Sequence, residues 1–265
     1  MLEAIRQLDR VLRGDATRLP DLRQGTINVR VFSMLLVVIV LGLIYGACMG
    51  SFAAFRVTGP SYEQMLASTV KVPALFLLTL LITFPSLYVF NALVGSGLGI
   101  VTLLRLLMAA LGVNLAVLAS LGPIVAFFSV CTTSYPFMVL LNVVLFAVAG
   151  LMSLTFLMQT LHRLSVAQEM VSAEVATPPE EAADFSDSAV GRPPGPLDRL
   201  QGQVMGRHVK KVLMCWMVIY GLVGAQMGWV LRPFVGDPTL PFSWFRPRQS
   251  NFFEAVLRSL TGLFG

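Results

Sequence analysis

The stretch LLMAALGVNLAVLASLGPIVAFFSVCTTSYPFMVLLNVVLFAVAGLMSLTFLMQTL, Leu106 to Leu161, runs for 56 residues without one Asp, Glu, Lys or Arg. A helix needs roughly 20 apolar residues to cross about 30 Å of hydrocarbon. This length therefore holds two spans and a connection, and Cys131-Thr132-Thr133-Ser134-Tyr135-Pro136 supplies the connection. Within lipid the backbone must satisfy its own hydrogen bonds, which selects helices for apolar runs of this length. Gly122-Pro123 should bend the first of the two, and Pro123–Val130 reads either as its outer end or as a re-entrant piece.

Working outward, three more runs of the same kind appear. The full set is Val31–Phe55, Val72–Gly95, Leu106–Val130, Pro136–Leu161 and Val212–Leu231, and none of the 14 acidic residues falls inside any of them. Pro85 should kink the second run, and Gly95-Ser96-Gly97-Leu98-Gly99 reads as a tight turn after it. The expected fold class is all-α: a polytopic integral membrane protein with five transmembrane helices and amphipathic interfacial helices at both ends. Its parts are a cytoplasmic amphipathic segment (1–30), a four-helix membrane region (31–163), a disordered cytoplasmic linker (164–208), a fifth transmembrane helix (209–231) and an extracytoplasmic interfacial cap (232–265).

Composition agrees. The chain is 56% hydrophobic and only 12% charged, with mean hydropathy +0.77, against about 25% charged in soluble domains. Its net charge of +5 flanks the apolar runs instead of forming a stripe, which argues for membrane orientation and against nucleic acid. With the N-terminus cytoplasmic, five spans put 13 basic residues inside and 6 outside. That bias favours N-in, C-out in a bacterial inner membrane. About 30 polar, arginine-rich residues precede the first run, and no small-residue cleavage pattern follows it, so it reads as a retained signal anchor.

At the N-terminus, Leu2, Ile5, Leu8, Val11 and Leu12 share a helical face, with Arg6, Arg10 and Arg13 around the polar side. Such a helix suits the headgroup layer. Between the fourth and fifth runs, Pro178-Pro179-Glu180-Glu181 and Arg192-Pro193-Pro194-Gly195-Pro196 mark a segment too poor in large apolar residues to fold.

Two constellations lie inside the spans. Gly42, Gly46 and Gly50 stand at four-residue spacing on the first, and Gly221, Gly224 and Gly228 line the fifth. Small residues at this spacing let a neighbouring helix approach until backbones touch, whether within the chain, with a copy of it or with a partner protein. Asn91, Asn114, Asn142 and Gln226 place one amide on each of spans two to five. An amide in hydrocarbon must find a hydrogen bond, so these should point inward, as structural contacts or as a polar pocket.

Signatures of catalysis fail in turn. No HExxH occurs, and the two histidines, His162 and His208, fall at span ends. The spans carry no aspartate, and the glycine-rich turn lacks the lysine of a phosphate loop. Cys48, Cys131 and Cys215 show neither CxxC nor metal-ligand spacing; they read as packing residues, with a Cys48–Cys131 bridge as the alternative. No catalytic residue, metal or cofactor is expected, and the protein is read as a non-enzyme.

The C-terminal tail mixes aromatics and arginines with prolines: Arg232-Pro233-Phe234, Val235-Gly236-Asp237-Pro238, then Pro241-Phe242-Ser243-Trp244-Phe245-Arg246-Pro247-Arg248. This composition suits the interface, where Trp and Phe rest at headgroup depth and guanidinium forks meet phosphates. Arg232, Trp244, Arg246 and Arg248 are the candidate contacts to lipid headgroups or a partner, with Asp237 facing Arg232 or Arg246. Asn251–Phe264 resumes an amphipathic helix.

At Lys71-Val72-Pro73-Ala74-Leu75, Phe84-Pro85-Ser86-Leu87-Tyr88, Ser120-Leu121-Gly122-Pro123 and the Gln226–Phe234 entry to the tail, the chain resembles a group of uncharacterised bacterial polytopic membrane proteins. Their plan is similar to the Yip1-type family: five spans, a cytoplasmic N-terminus and a short far-side C-terminus. The likeness covers the spans; the long linker before the fifth departs from that plan. The resemblance implies a trafficking or membrane-shaping role and carries over no functional residue. The functional expectation is a non-enzymatic accessory or scaffold that meets other membrane proteins, or its own copies, through glycine-rich helix faces within the lipid bilayer. The alternative is lipid handling or small-molecule transport by the buried amides and the Arg/aromatic tail.

Overall fold

The protein is seen in a computed structural model that describes residues 2–14, 30–55, 59–93, 100–176, 214–237, 240–246 and 251–264. Seven helices are present among them: α1 (Leu2–Leu12), α2 (Val31–Ala54), α3 (Tyr62–Leu93), α4 (Ile100–Cys131), α5 (Tyr135–Ala176), α6 (Met214–Val230) and α7 (Phe252–Phe264). Four of them contain segments long and apolar enough to cross a membrane: Val31–Ala54, Tyr62–Val89, Ile100–Cys131 and Tyr135–Thr160. The chain is therefore an all-α, multi-pass membrane protein. The described part of α6 is apolar but shorter than these.

Element bounds differ from the sequence expectation in four places, the first being α4, which begins at Ile100 instead of Leu106 and so includes Arg105. α3 starts at Tyr62, ten residues before the apolar run. The residues after Pro60 include Glu63, Gln64, Met65, Leu66 and Ala67, all good helix formers, and Glu63 in the first turn suits the helix dipole. Hydropathy alone stops at Lys71 and misses them. α4 continues unbroken through Pro123 to Cys131, so Pro123–Val130 is the end of a helix and not a re-entrant piece. α5 runs on to Ala176, into the segment expected to be linker; the remainder, 177–213, lies outside the described residues, as does the turn at Gly95–Gly99.

α4 forms the centre. Leu106, Leu107, Met108, Ala109, Ala110, Leu111, Val113 and Leu115 are all buried, and a helix apolar on every side belongs inside a bundle. α2 and α5 pack against it, and Ser153 of α5 donates to the Ala110 carbonyl at 2.7 Å. α1 turns Ala4 and Val11 inward against α2 and α4. Its Leu8 reaches Gly112, which also lies against Met34. At the other end α7 is capped by Asn251, whose side chain accepts the Glu254 N–H at 2.9 Å. It seats on α5, with Gly262 beside Pro136. Cys48, Cys131 and Cys215 are all free.

Candidate functional site

The tightest junction is the antiparallel pair α2–α3. A Cβ placed on Gly42 would stand 2.9 Å from Pro73 Cβ, on Gly46 2.7 Å from Thr69 Cα, and on Gly50 2.9 Å from Met65 Cα. Each four-residue step along α2 is matched by four residues back along α3, which fixes the register. Pro73 has no N–H, so the Thr69 carbonyl lacks its helical donor. Gly46 passes directly over that carbonyl, where a Cα–H can approach an oxygen as a weak donor. The first glycine row is thus spent inside the chain.

The same register sets the depth of Lys71. It lies opposite Ile44, near the middle of α2, a helix of 24 residues and about 36 Å. By sequence Lys71 precedes the second apolar run and counts among the six basic residues expected outside; the structure buries it, 4% exposed, within the bundle. Helical side chains lean toward the helix N-terminus, so Lys71 reaches back toward the Tyr62 end. Gln64 and Ser68, seven and three positions earlier, share its face and are also buried.

The chain's own tail covers this polar face. Lys71 Nζ donates to the Pro233 carbonyl at 3.2 Å and to the Trp244 carbonyl. Gln64 Nε2 donates to the Pro233 carbonyl at 3.1 Å. The Ser68 hydroxyl lies within reach of both the Gln64 carbonyl at 2.8 Å and the Phe234 carbonyl, and gives its single proton to one at a time. The ammonium also sits over the ring of Phe245 at 5.2 Å and that of Trp244 at 5.9 Å. Proline and turn residues leave tail carbonyls outside any helix, and those carbonyls satisfy the lysine.

Two arginines complete the cluster. Arg232 stacks over Trp229 at 3.6 Å. Arg246 Nη1 lies 3.8 Å from Asp237 Oδ2, one of the two pairings expected for that carboxylate. Arg246 is close enough to repel both Lys71 and Arg232. Burial, then Arg246, lowers the Arg232 pKa, with Tyr135 acting the other way.

The remaining candidates are scattered. Gly224 meets Thr79 at ordinary contact distance, while Gly221 and Gly228 have nothing within 4 Å among the described residues. Asn142 is buried and bonded across helices: it accepts the Tyr45 hydroxyl at 2.8 Å and donates to the Met138 carbonyl at 2.8 Å. Asn114 is buried in α4, and its Oδ1 has no hydrogen-bond partner among the described residues. Gln226 is half-buried on α6. The Asn91 side chain and Arg248 lie outside the described residues. The amides therefore form no common pocket among the described residues.

Sequence reasoning missed Tyr45, Gln64, Ser68, Lys71 and Trp216. Trp216 is almost wholly buried, and its Nε1–H lies 3.2 Å from Ser86 Oγ and 3.3 Å from the Thr83 carbonyl. The available signal was the 4-and-3 spacing of Gln64, Ser68 and Lys71 just before an apolar run, a polar stripe on one helical face.

No family model, curated protein or solved structure matches this chain, so the Yip1-type likeness gains no support and function is argued from geometry.

Proposed function

We propose that the chain is a five-pass, non-enzymatic accessory protein of a bacterial inner membrane, with its N-terminus in the cytoplasm and its C-terminal cap on the far side. The amphipathic α1 and α7 then border the two leaflets. The five-pass reading is supported by the course of α6 along α3. Trp216 touches α3 at Thr83 and Ser86, Gly224 at Thr79, and Pro233 at Gln64. From Gln64 to Ser86 a helix rises about 33 Å, the full hydrocarbon thickness. The basic-residue bias supports the orientation.

The accessory role rests on the crevice between α5 and α6. It encloses about 480 Å³ and is lined by Leu154, Thr155, Met158, Gln159, Met214, Met217 and Val218. Gly221 lies exposed further along α6, with nothing packed on it among the described residues. The row on α2 is closed by α3, so a partner helix has this face available and not the first one. Apolar side chains, a glycine and two polar groups at one groove are what a docking membrane helix uses.

Two experiments test the proposal. A photo-crosslinking residue at Val218 should give one discrete protein adduct in native membranes, whereas the same probe at the buried Ala109 should give none; lipid adducts alone at Val218 would refute the accessory role. Membrane-impermeant thiol labelling should reach Cys215 and an introduced Ser250→Cys from opposite sides. Labelling of both from one side would refute five passes.

A further inference from the structure

We propose that Arg232 and Arg246, held over Lys71, form a binding site for the phosphate of an anionic phospholipid headgroup in the leaflet facing the C-terminal cap. Lys71 holds the backbone next to Arg232 and close to Arg246, so three cations converge here, and Asp237 is a carboxylate beside Arg246. Asp237 lies 3.8 Å from Arg246, well beyond the 2.7–2.9 Å of a charge-assisted hydrogen bond. The pair offsets charge without occupying the guanidinium fork. Like charges gathered where the dielectric is low repel strongly, and an anion seated between them removes that cost.

Lys71 points to the same conclusion. It carries three N–H donors, of which two reach the carbonyls of Pro233 and Trp244. Those carbonyls satisfy it as a donor but leave its charge unneutralised. An ionisable side chain at membrane depth usually pairs with an opposite charge or marks a ligand path; here the described partners are neutral carbonyls and two rings.

The surroundings select a lipid as the source of the anion. Trp244, Phe245 and Leu240 are all about half exposed at the edge of the cluster, and Phe242 packs edge-on against Trp244. Aromatics beside arginines at this level match the boundary between headgroups and acyl chains. Planar guanidinium groups bind phosphate oxygens in a two-pronged fashion that a lysine does not reproduce. A choline or ethanolamine headgroup would bring a further cation to the site, so an anionic headgroup such as phosphatidylglycerol is preferred.

The test uses full-length protein purified in mild detergent, exposed to mixed phosphatidylglycerol and phosphatidylcholine and analysed by native mass spectrometry. Wild type should retain phosphatidylglycerol in preference to phosphatidylcholine. Arg232→Gln and Arg246→Gln should each lower that retention about tenfold. Arg258→Gln, on α7 and paired with Glu254 at the surface, should leave it unchanged. Both arginine variants keep Lys71 and its carbonyl partners, so a folding failure of Lys71 variants does not interfere. Inorganic phosphate is added in a second arm. Thermal protection by phosphate that depends on Arg246, without lipid preference, would keep the phosphate site but assign it to a free anion. Equal lipid retention by wild type, Arg246→Gln and Arg258→Gln, with no protection by phosphate, overturns the proposal.

Discussion

Replacing Gly46 with alanine adds one methyl group where there is no room for it. The new carbon would stand 2.7 Å from Thr69 Cα, 2.8 Å from the Ser68 carbonyl oxygen and 2.9 Å from the Thr69 carbonyl oxygen. All three obstacles are backbone, so no side chain can rotate away. Restoring the 3.5–4.0 Å of ordinary contact requires α2 and α3 to separate by about 1 Å. A gap of that size forfeits a quarter to a half of each dispersion contact along the junction. Overpacking costs typically 1–3 kcal/mol, and a rigid obstacle puts Gly46→Ala near about 3 kcal/mol, roughly two decades in the folding equilibrium. Gly50→Ala, with backbone atoms of Met65 at 2.9 Å, should cost nearly as much. Gly224→Ala meets only a Thr79 methyl at 3.6 Å, and Gly221→Ala meets nothing; both should be neutral or slightly stabilising. Reversible unfolding in bicelles, followed by steric trapping, measures the series. Gly46→Ala as stable as Gly221→Ala would refute the close-packed junction. The result also bears on partner searches, because a partner lost on Gly46→Leu would report a broken bundle and not an interface.

A double-mutant cycle of Tyr45→Phe and Asn142→Leu should give a coupling of roughly 0.6–1.7 kcal/mol, the range for interhelical hydrogen bonds in membranes; zero coupling in the same unfolding assay would remove the α2–α5 hydrogen bond from the account. Truncation after Leu231 strips Lys71 of both its carbonyl partners and should cost about 2.5–3.5 kcal/mol, the insertion penalty of a central lysine. Lys71→Met should restore most of that loss in the truncated chain, and failure to do so would show that the tail stabilises the bundle by some other route.

Much of the fold was legible because hydropathy reports membrane helices directly. Val31, Cys131 and Tyr135 fall within a residue of boundaries that the runs implied. The start of α3 was not legible, since Glu63, Gln64 and Lys71 interrupt hydropathy while favouring helix. Gly42, Gly46 and Gly50 could be recognised as a packing row, but the row does not name its partner; only the register with Pro73, Thr69 and Met65 does so. The tail arginines were visible as candidates. Their link to Lys71 was not, because it joins residues more than 160 positions apart through backbone carbonyls, and carbonyls leave no mark on a sequence.

That link also changes what the bundle interior means. Spans without acidic residues suggest a core that works by shape alone, yet Lys71 stands near mid-depth and must be satisfied. A carboxylate on a neighbouring helix would neutralise it permanently and close the site. Carbonyls from Pro233 and Trp244 instead hold the ammonium while leaving its charge in place. The same contacts fix the tail so that Arg232 and Arg246 converge, which arginines on a free tail would not do against their own repulsion. A buried lysine that organises the tail therefore explains why Arg232 and Arg246 gather at one point, and why the segment after α6 is rich in proline and aromatic residues.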